Sequence, residues 1–307
     1  MKTESAYLNG NWIPRGELSI AVDDVGFLLG ATVTERLRTF HNQAFRLDDH
    51  LRRLRRSLEI VGLNAAGITS QIGRALGEFP QRNQGRLAAD DDWSLTAFAT
   101  PGSSEGGPPT VCVYGYPLAF EQWADHYEQG LPIVVSETRQ VPTNCWPAEL
   151  KCRSRMHYFL ADRAAAAAQP GARSILLDQE GFVGESTTAN VLLYCEGEGL
   201  VSPTAEHILY GVSMGVVEEL AAALGVPFLR RRIAVDELQT ADELMLASTS
   251  ICLLPVVACD QQPIGDGAPG PIYRRLLAAW GEAVGLDVAE QAWRCAARRV
   301  ASGRSRS

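Results

Sequence analysis

The feature that most constrains the fold is the irregular order of strand-like and helix-like segments along the 307 residues. Short runs rich in β-branched and aromatic residues, such as 33–40 and 93–99, predict strands, and the apolar stripe over 48–61 predicts a helix. Further helices are predicted over 152–168 and 211–224. These segments form no repeated strand–helix–strand order, and neither a GxGxxG motif nor a P-loop occurs. The sequence therefore predicts a mixed α/β (α+β) fold and argues against a doubly wound nucleotide-binding sheet.

Composition and charge exclude several classes of protein. Hydrophobic residues make up 46% of the chain and charged residues 21%, close to a globular average, so wholesale disorder is not expected. The net charge of −8 disfavours a general binder of nucleic acid or of anionic membranes, because such binders need a basic face. No run of about 18 apolar residues occurs, and residues 1–10 lack a secretory pattern. We therefore expect neither a nucleic-acid partner nor a membrane partner.

The seven cysteines and five histidines are scattered along the chain, which bears on metal binding and on cellular location. No CxxC pair and no Cys/His cluster with zinc spacing occurs, so we expect no metal site. An odd number of dispersed cysteines is typical of reduced thiols, and we expect a cytoplasmic protein.

A change of pattern between residues 117 and 131 predicts a domain boundary. This segment is polar and aromatic and has no clean period. We therefore predict a small N-terminal domain over 1–121 and a larger C-terminal domain over 129–307.

Lysine is scarce, and this singles out one residue. Only Lys2 and Lys151 are lysines among the 28 basic residues, and Lys2 is terminal. Lys151 is therefore the only internal primary amine. A partly desolvated lysine can attack a carbonyl and form a Schiff base, although a surface lysine is the alternative interpretation.

Further polar segments are candidates for a cofactor site. Residues 181–190 join two predicted strands and contain Glu185, for which a solvated turn acid is the alternative. Residues 211–213 open a predicted helix, where backbone N–H groups and a hydroxyl can cradle a phosphate, with a simple capping serine as the alternative. Residues 248–250 end a predicted strand and offer hydroxyls, or form an ordinary polar turn. The arginine-rich run 52–56 has no spacing that shows which side chain points inward.

Taken in order, these segments resemble the class IV (fold type IV) pyridoxal 5′-phosphate (PLP) enzymes. That family includes branched-chain and D-amino acid aminotransferases, (R)-selective amine transaminases and aminodeoxychorismate lyases. The resemblance runs from about Tyr7 to past Gly270, and eight short motifs in family-like order make it highly specific. These motifs are 23–30 (DDVGFLLG), 33–38 (VTERLR), 45–54 (FRLDDHLRRL), Lys151, 181–186 (GFVGES) with Asn190, 211–213 (GVS), Thr249 with 255–256 (PV), and 265–271.

The resemblance implies a two-domain fold, with a small N-terminal α/β domain and a larger, β-barrel-like C-terminal α/β domain, and PLP as the cofactor. It implies that Lys151 holds PLP as a Schiff base and later moves a proton, which requires a primary amine. It also implies that Glu185 pairs with the pyridine nitrogen and keeps the ring protonated.

The resemblance further implies a phosphate-binding group of residues. Arg53 is selected by the H-x-x-R-L motif and is expected to bind the phosphate with a bidentate fork, whereas His50 of the same motif is expected to be structural. The remaining residues implied to bind the phosphate are Val212, Ser213, Thr249 and Ser250.

The substrate side departs from the family pattern. Branched-chain aminotransferases carry a tyrosine five residues after the lysine, where this chain has Met156, so either His157 or Tyr158 replaces it in a shifted helix or the contact is absent. At 100–102 a proline stands where D-amino acid aminotransferases use an arginine to bind the substrate carboxylate. The candidate substrate residues on strand 33–38 are Thr34, Arg36 and Arg38, with Arg153 and Arg155 as further candidates for the carboxylate. Surface or interface ion pairs are the alternative for each arginine.

The resemblance implies an aminotransferase that moves an amino group between an amino acid or amine and a 2-oxo acid. The enzyme alternative is a lyase of the aminodeoxychorismate type, which releases pyruvate and p-aminobenzoate. The alternative of a different class is a non-catalytic PLP-binding protein, against which the presence of both Lys151 and Glu185 argues. The family also implies a homodimer.

Overall fold

The computed structural model describes residues 4–301, and within them the chain forms two compact units. The first unit contains the residues up to Leu118 together with Leu150–Arg155, and the second contains Ala119–Glu149 and the residues from Met156 onward. The predicted domain ranges, 1–121 and 129–307, remain a prediction. The return of 150–155 to the first unit is a feature that the sequence did not signal. The predicted frayed tail over 298–307 begins inside a helix, and its residues 302–307 lie outside the described range.

The first unit is an antiparallel six-stranded sheet packed against two helices. The strand order is β2-β1-β6-β5-β3-β4. Its elements are β1 Ser5–Leu8, β2 Asn11–Pro14, a 3₁₀ turn Arg15–Glu17, α1 Val25–Leu28, β3 Val33–Phe40, β4 Gln43–Ala44, α2 Leu47–Ile60, α3 Ala65–Arg82, β5 Trp93–Thr100 and β6 Thr110–Pro117.

Local sequence explains most of this unit. Asn9 and Gly10 both have positive φ, 48° and 94°, which is the conformation that a two-residue hairpin requires. The predicted helix over 48–61 is confirmed as α2, whose apolar side faces the core through Leu54 and Leu58.

Helix α3 was not predicted. Its buried residues Ile68, Ile72, Leu76 and Phe79 recur at helical spacing. Three glycines and Pro80 lie within the same helix and weaken its sequence signal, because these residues disfavour helix interiors. Burial of the apolar side against the sheet overrides this low propensity.

The second unit is built on a nine-stranded sheet, six strands of which close into a ring. The ring runs β10-β13-β14-β7-β8-β9 and back to β10, with β11 and β12 extending it beyond β10 and β15 pairing with β14. The elements are a 3₁₀ turn Phe120–Gln122, α4 His126–Gln129, β7 Leu131–Val135, α5 Met156–Ala168, β8 Arg173–Leu177, β9 Val183–Ser186, β10 Ala189–Cys195, β11 Gly199–Ser202, α6 Val212–Ala223, β12 Phe228–Arg230, α7 Glu237–Thr240, β13 Glu243–Ser248, β14 Cys252–Cys259, β15 Gln262–Pro263, α8 Pro271–Val284 and α9 Val288–Ala301. The predicted mixed α/β class, with a barrel-like second part, is confirmed.

The predicted start of the lysine-following helix was wrong. Helix α5 begins at Met156 rather than at Cys152. Cys152 instead forms an antiparallel bridge with Val33 of β3, and the N–H of Arg153 donates to the carbonyl of Thr32 at 2.9 Å. Pairing with the edge of β3 thus keeps 151–153 extended.

Two findings concern membranes and metals. Over residues 4–301, no helix is long and apolar enough to cross a membrane. The same range contains no group of three or more His, Cys, Asp or Glu side chains arranged to hold a metal ion.

Candidate active site

Lys151 lies in the first unit on a backbone that is held from two sides. Its carbonyl accepts a hydrogen bond from the N–H of Thr34 at 3.0 Å. Its own N–H donates to the Ser57 hydroxyl on α2 at 3.1 Å. Because both backbone polar groups form hydrogen bonds, the position of the Lys151 Cα is fixed. The lysine side chain is half-buried.

Strand β3 presents two different chemical faces. Side chains alternate along a strand, so Thr34, Arg36 and Arg38 share one face and Glu35 lies on the other. The Thr34 hydroxyl donates to the carbonyl of Ala97 at 3.1 Å, so this predicted substrate residue has an internal partner.

Arg36 is the most suitable of the predicted carboxylate-binding residues. Its Nε donates to the Ser94 hydroxyl at 3.1 Å, and its guanidinium lies 5.1 Å from the centre of the Tyr116 ring. Burial, together with the nearby Arg153 and Arg155 guanidinium groups, lowers the pKa of Arg36. No carboxylate among residues 4–301 forms an ion pair with Arg36. Three neighbouring cations of this kind favour an anionic ligand.

Arg38 has a different environment from Arg36. Its side chain is 1% exposed, lies 3.7 Å from the carboxylate of Asp92 and stacks over the Phe40 ring at 3.9 Å. A buried arginine whose charge is matched by an internal carboxylate is part of the packing of this unit. The structure therefore gives Arg38 an internal carboxylate partner, and its role toward a substrate stays a prediction.

Arg53 belongs to a buried ionic cluster on the other face of β3. Its Nη2 and Nε donate to the two oxygens of Glu35 at 2.6 and 3.0 Å, and the Nδ1 of His50 lies 3.0 Å from the same carboxylate. Burial opposes ionisation of Glu35, but Arg53 and His50 hold the pKa of this carboxyl well below its usual range. Burial lowers the pKa of His50 despite the neighbouring carboxylate.

This cluster determines which nitrogen atoms of Arg53 are available to a phosphate. Its bidentate fork is occupied by Glu35, because a fully buried carboxylate requires a matching charge. The Nη1 of Arg53 has no hydrogen-bond partner among the described residues. A phosphate contact would therefore use this remaining nitrogen. The expected structural role of His50 agrees with its contact to Glu35.

Glu185 lies in the second unit, on β9, and is 8% exposed. The hydroxyl of Tyr158 on α5 donates to its Oε1 at 2.8 Å. Met156, at the position of the family tyrosine, is 70% exposed. Of the two neighbours considered as replacements, Tyr158 contacts Glu185, and His157 packs beside its ring at 4.2 Å.

Asn190 connects Glu185 to the start of α6. It pairs with Glu185 across β9 and β10, so the two side chains project from the same face of the sheet. Its Oδ1 accepts the N–H of Gly211 at 3.0 Å, and its Nδ2 donates to the carbonyl of Leu209 at 2.9 Å. A Cβ on Gly211 would approach this Oδ1 to 2.3 Å, so the close contact requires glycine.

The predicted phosphate residues of the second unit follow from this arrangement. The N-cap residue of α6 is Gly211, which has no side chain to cap the helix. The amides of Val212 and Ser213 lie in its first turn, where the helix dipole favours an anion. Thr249 and Ser250 occupy the turn between β13 and β14, and β13 pairs with β10 through Ala247 and Asn190. Asn190 therefore lies next to both predicted phosphate-binding segments.

A comparison with known families identifies the chain. The model of the family described as amino-transferase class IV matches residues 32–259. The chain belongs to the class IV aminotransferases. The predicted family and enzyme class are confirmed.

Individual relatives agree with this family assignment. The chain is 26% identical over 279 residues to the D-alanine aminotransferase of Bacillus licheniformis, covering 88% of this chain and 94% of that one. It is 27% identical over 281 residues to branched-chain-amino-acid aminotransferase-like protein 2 of Arabidopsis thaliana, covering 90% of this chain and 49% of that one. These relatives support the predicted aminotransferase activity.

A solved structure shows the same fold. The branched-chain aminotransferase of the archaeon Thermoproteus uzoniensis, solved with norvaline, superposes with a TM-score of 0.81 at 24% sequence identity, covering 92% of this chain and 96% of that one. This class IV aminotransferase therefore has the fold type IV architecture.

The residues of this aminotransferase fit PLP chemically. Lys151 supplies a primary amine, and Glu185 supplies a largely buried carboxylate. The N-terminus of α6, which begins with a glycine N-cap, and the hydroxyls of Thr249 and Ser250 suit a phosphate. Sequence reasoning missed the contacts that orient these groups, those of Ser57, Asn190 and Tyr158. Asn190 was signalled by its position in the 181–190 motif and Tyr158 as a replacement for the family tyrosine, but no signal indicated Ser57.

Proposed function

We propose that this protein is a PLP-dependent aminotransferase that moves an amino group between an amino acid or amine and a 2-oxo acid. The observation that carries the proposal is Lys151, the only internal lysine, on a backbone held by Thr34 and Ser57. A rigid backbone next to a single reactive amine is what covalent attachment of a carbonyl cofactor requires.

Lys151 and Glu185 have different proposed roles toward the cofactor. When bound, PLP supplies an electron sink that stabilises negative charge on the substrate Cα. The Nζ of Lys151 would hold the cofactor carbonyl carbon until the amino group of the substrate displaces it. The freed amine would then be the base that moves a proton to or from the substrate Cα. The carboxylate of Glu185 holds the proton on the pyridine nitrogen.

The proposed phosphate contacts combine a positive charge with hydrogen-bond donors. The Nη1 of Arg53 contributes the charge. The amides of Val212 and Ser213 and the hydroxyls of Thr249 and Ser250 donate the hydrogen bonds.

Arg36 binds the substrate carboxylate in this proposal. Its guanidinium has no carboxylate partner in the described range and shares its surroundings with Arg153 and Arg155. Arg38 lies beside Asp92, so Arg36 is the preferred candidate for this role.

A homodimer and a cytoplasmic location are part of the proposal. Phe27, Leu28 and Leu29 are consecutive exposed apolar side chains in the first unit, and contact with a second copy would cover them. Over residues 4–301, none of the cysteines forms a disulfide, as in proteins of reducing compartments. Sedimentation analysis tests the dimer.

The experiment that tests the proposed function follows the amino group. The purified protein is loaded with PLP and mixed with a panel of D- and L-amino acids and amines. We expect at least one donor to bleach the visible absorbance and release its oxo product, and a 2-oxo acid to restore the absorbance.

Two results would contradict aminotransfer. Absorbance that no donor bleaches would indicate a non-catalytic PLP-binding protein. Release of pyruvate and p-aminobenzoate from aminodeoxychorismate, without amino transfer, would indicate a lyase.

A further inference from the structure

We propose that Tyr158 is a positioning residue for Glu185. Its hydroxyl fixes one carboxylate oxygen so that the other is directed at the pyridine nitrogen of PLP. The inference rests on the proposed function, in which Glu185 holds the proton of that nitrogen.

The contact has the geometry of a charge-assisted hydrogen bond. The phenol oxygen of Tyr158 lies 2.8 Å from Oε1 of Glu185, and the carboxylate is only 8% exposed. Hydrogen bonds to ionised groups are stronger than neutral ones, and partial exclusion of water strengthens them further.

The phenol is delivered from a well-anchored helix. Tyr158 is the third residue of α5, and the ring of His157 packs beside it at 4.2 Å. One turn later, Oδ1 of Asp162 accepts hydrogen bonds from the hydroxyls of Thr187 and Ser174 at 3.0 and 2.8 Å. Helix α5 is therefore tied to the β9–β10 hairpin both at Glu185 and at Thr187.

The two anchors have different expected consequences for the cofactor. The Tyr158–Glu185 contact and the Asp162–Thr187 contact both join α5 to the β9–β10 hairpin. Only the first of them is made to the carboxylate of Glu185. A hydroxyl orients a carboxylate without neutralising its charge. Without the hydroxyl, the carboxylate can rotate among other side-chain conformations, and the pyridine nitrogen loses its proton for part of the time.

The chain offers a matched pair of variants. Tyr158→Phe removes the hydroxyl at Glu185 and keeps the ring. Thr187→Val removes the hydroxyl of the second anchor and keeps a β-branched side chain of similar size. A merely structural role for Tyr158 predicts the same effect from both substitutions.

The experiment uses the full-length protein loaded with PLP that carries nitrogen-15 in its ring. The nitrogen-15 chemical shift separates a protonated from a neutral pyridine nitrogen independently of turnover. We expect Tyr158→Phe to move the shift toward the neutral value and to weaken PLP binding by about 10-fold. We expect kcat to fall while the KM for the 2-oxo acid stays unchanged, and Thr187→Val to keep the wild-type shift.

The outcomes separate this inference from the proposed function. Wild-type protein that forms no visible, borohydride-reducible PLP adduct overturns both. A normal wild-type adduct with an unchanged shift in Tyr158→Phe overturns the positioning role alone. An equal change of the nitrogen-15 shift in Thr187→Val also overturns the positioning role, because the change would then result from altered packing of α5 against the hairpin.

Discussion

Two buried glutamates, one in each unit, differ in the partners that the structure gives them. Glu35 in the first unit is fully buried and receives two hydrogen bonds from the Arg53 guanidinium, with His50 as a second partner. Glu185 in the second unit is 8% exposed and receives the hydroxyl of Tyr158.

The difference shows how one residue type serves two purposes. An arginine neutralises the carboxylate that it binds, so the Glu35 cluster stabilises the junction of β3 and α2 and orients Arg53. A hydroxyl orients a carboxylate and leaves its charge, so Glu185 can match the positive charge of a pyridine nitrogen. On this comparison the Glu35 cluster contributes to stability, and Glu185 is the proposed partner of the pyridine nitrogen.

The largest expected effect is on turnover in Glu185→Gln. A neutral amide cannot hold the pyridine proton, so we expect kcat to fall by about 100-fold or more, with PLP still bound. Steady-state kinetics and PLP titration measure the two quantities. The free energy of unfolding should stay near the wild-type value, and turnover near the wild-type rate would show that Glu185 does not hold the pyridine proton.

Arg53→Ala tests the other side of the comparison. It leaves Glu35 as an uncompensated buried charge, so we expect the free energy of unfolding to fall by about 3–5 kcal/mol. Loss of the phosphate contact should also weaken PLP binding by about 10- to 150-fold, with partial rescue by excess cofactor. Denaturant unfolding and PLP titration measure these effects.

Arg55→Ala is the matched control for Arg53→Ala. Arg55 lies on the same helix but forms an exposed ion pair with Glu59, so its removal should change both quantities little. Equal effects of the two substitutions would show that the buried cluster has no special role.

Arg36→Ala should affect substrate binding and spare the cofactor. Loss of a charge-assisted contact to a carboxylate predicts a KM for an acidic substrate raised by about 10- to 150-fold, with unchanged PLP affinity. An unchanged KM would place the carboxylate contact elsewhere, with Arg153 and Arg155 as the next candidates. Arg38→Ala, by contrast, should lower stability, because it removes the positive charge beside the buried carboxylate of Asp92.

The smallest expected effect is on the pH dependence of stability. The pKa of His50 is lowered on folding, so below about its ordinary value of 6.5 the unfolded chain binds a proton that the native state does not. The contribution of His50 to the free energy of unfolding is therefore complete above about pH 6.5 and is lost progressively as the pH falls below it. The lowered pKa of Glu35 causes a further decrease in the free energy of unfolding below about pH 4.5.

His50→Gln removes the first of these contributions and keeps a hydrogen-bond donor. We expect the slope of unfolding free energy between about pH 6.5 and 5.5 to be smaller than in the wild type, by at most about 1.4 kcal/mol per pH unit. Equal slopes in both proteins would show that His50 is not the group responsible.

Sequence patterns were sufficient where the signal is local or where motif order is specific. The apolar spacing of α2 and the start of α6 at Gly211 each depend on neighbouring residues. The order of the motifs gave the family, and with it the fold type IV architecture.

The rest depends on contacts between residues that are distant in sequence. The extended path of Cys152 results from pairing with Val33, 119 positions earlier. No pattern near Arg38 indicates Asp92, and none near Tyr158 indicates Glu185. Such partners are set by tertiary packing, which periodicity does not report.

The most direct test of the central claim is borohydride reduction of the PLP-loaded protein, followed by peptide mass spectrometry. The account predicts a single reduced PLP adduct, on the peptide that contains Lys151, and no adduct in Lys151→Ala, which should keep its fold and lose all turnover. An adduct on another peptide, or turnover and visible absorbance retained in Lys151→Ala, would contradict the account.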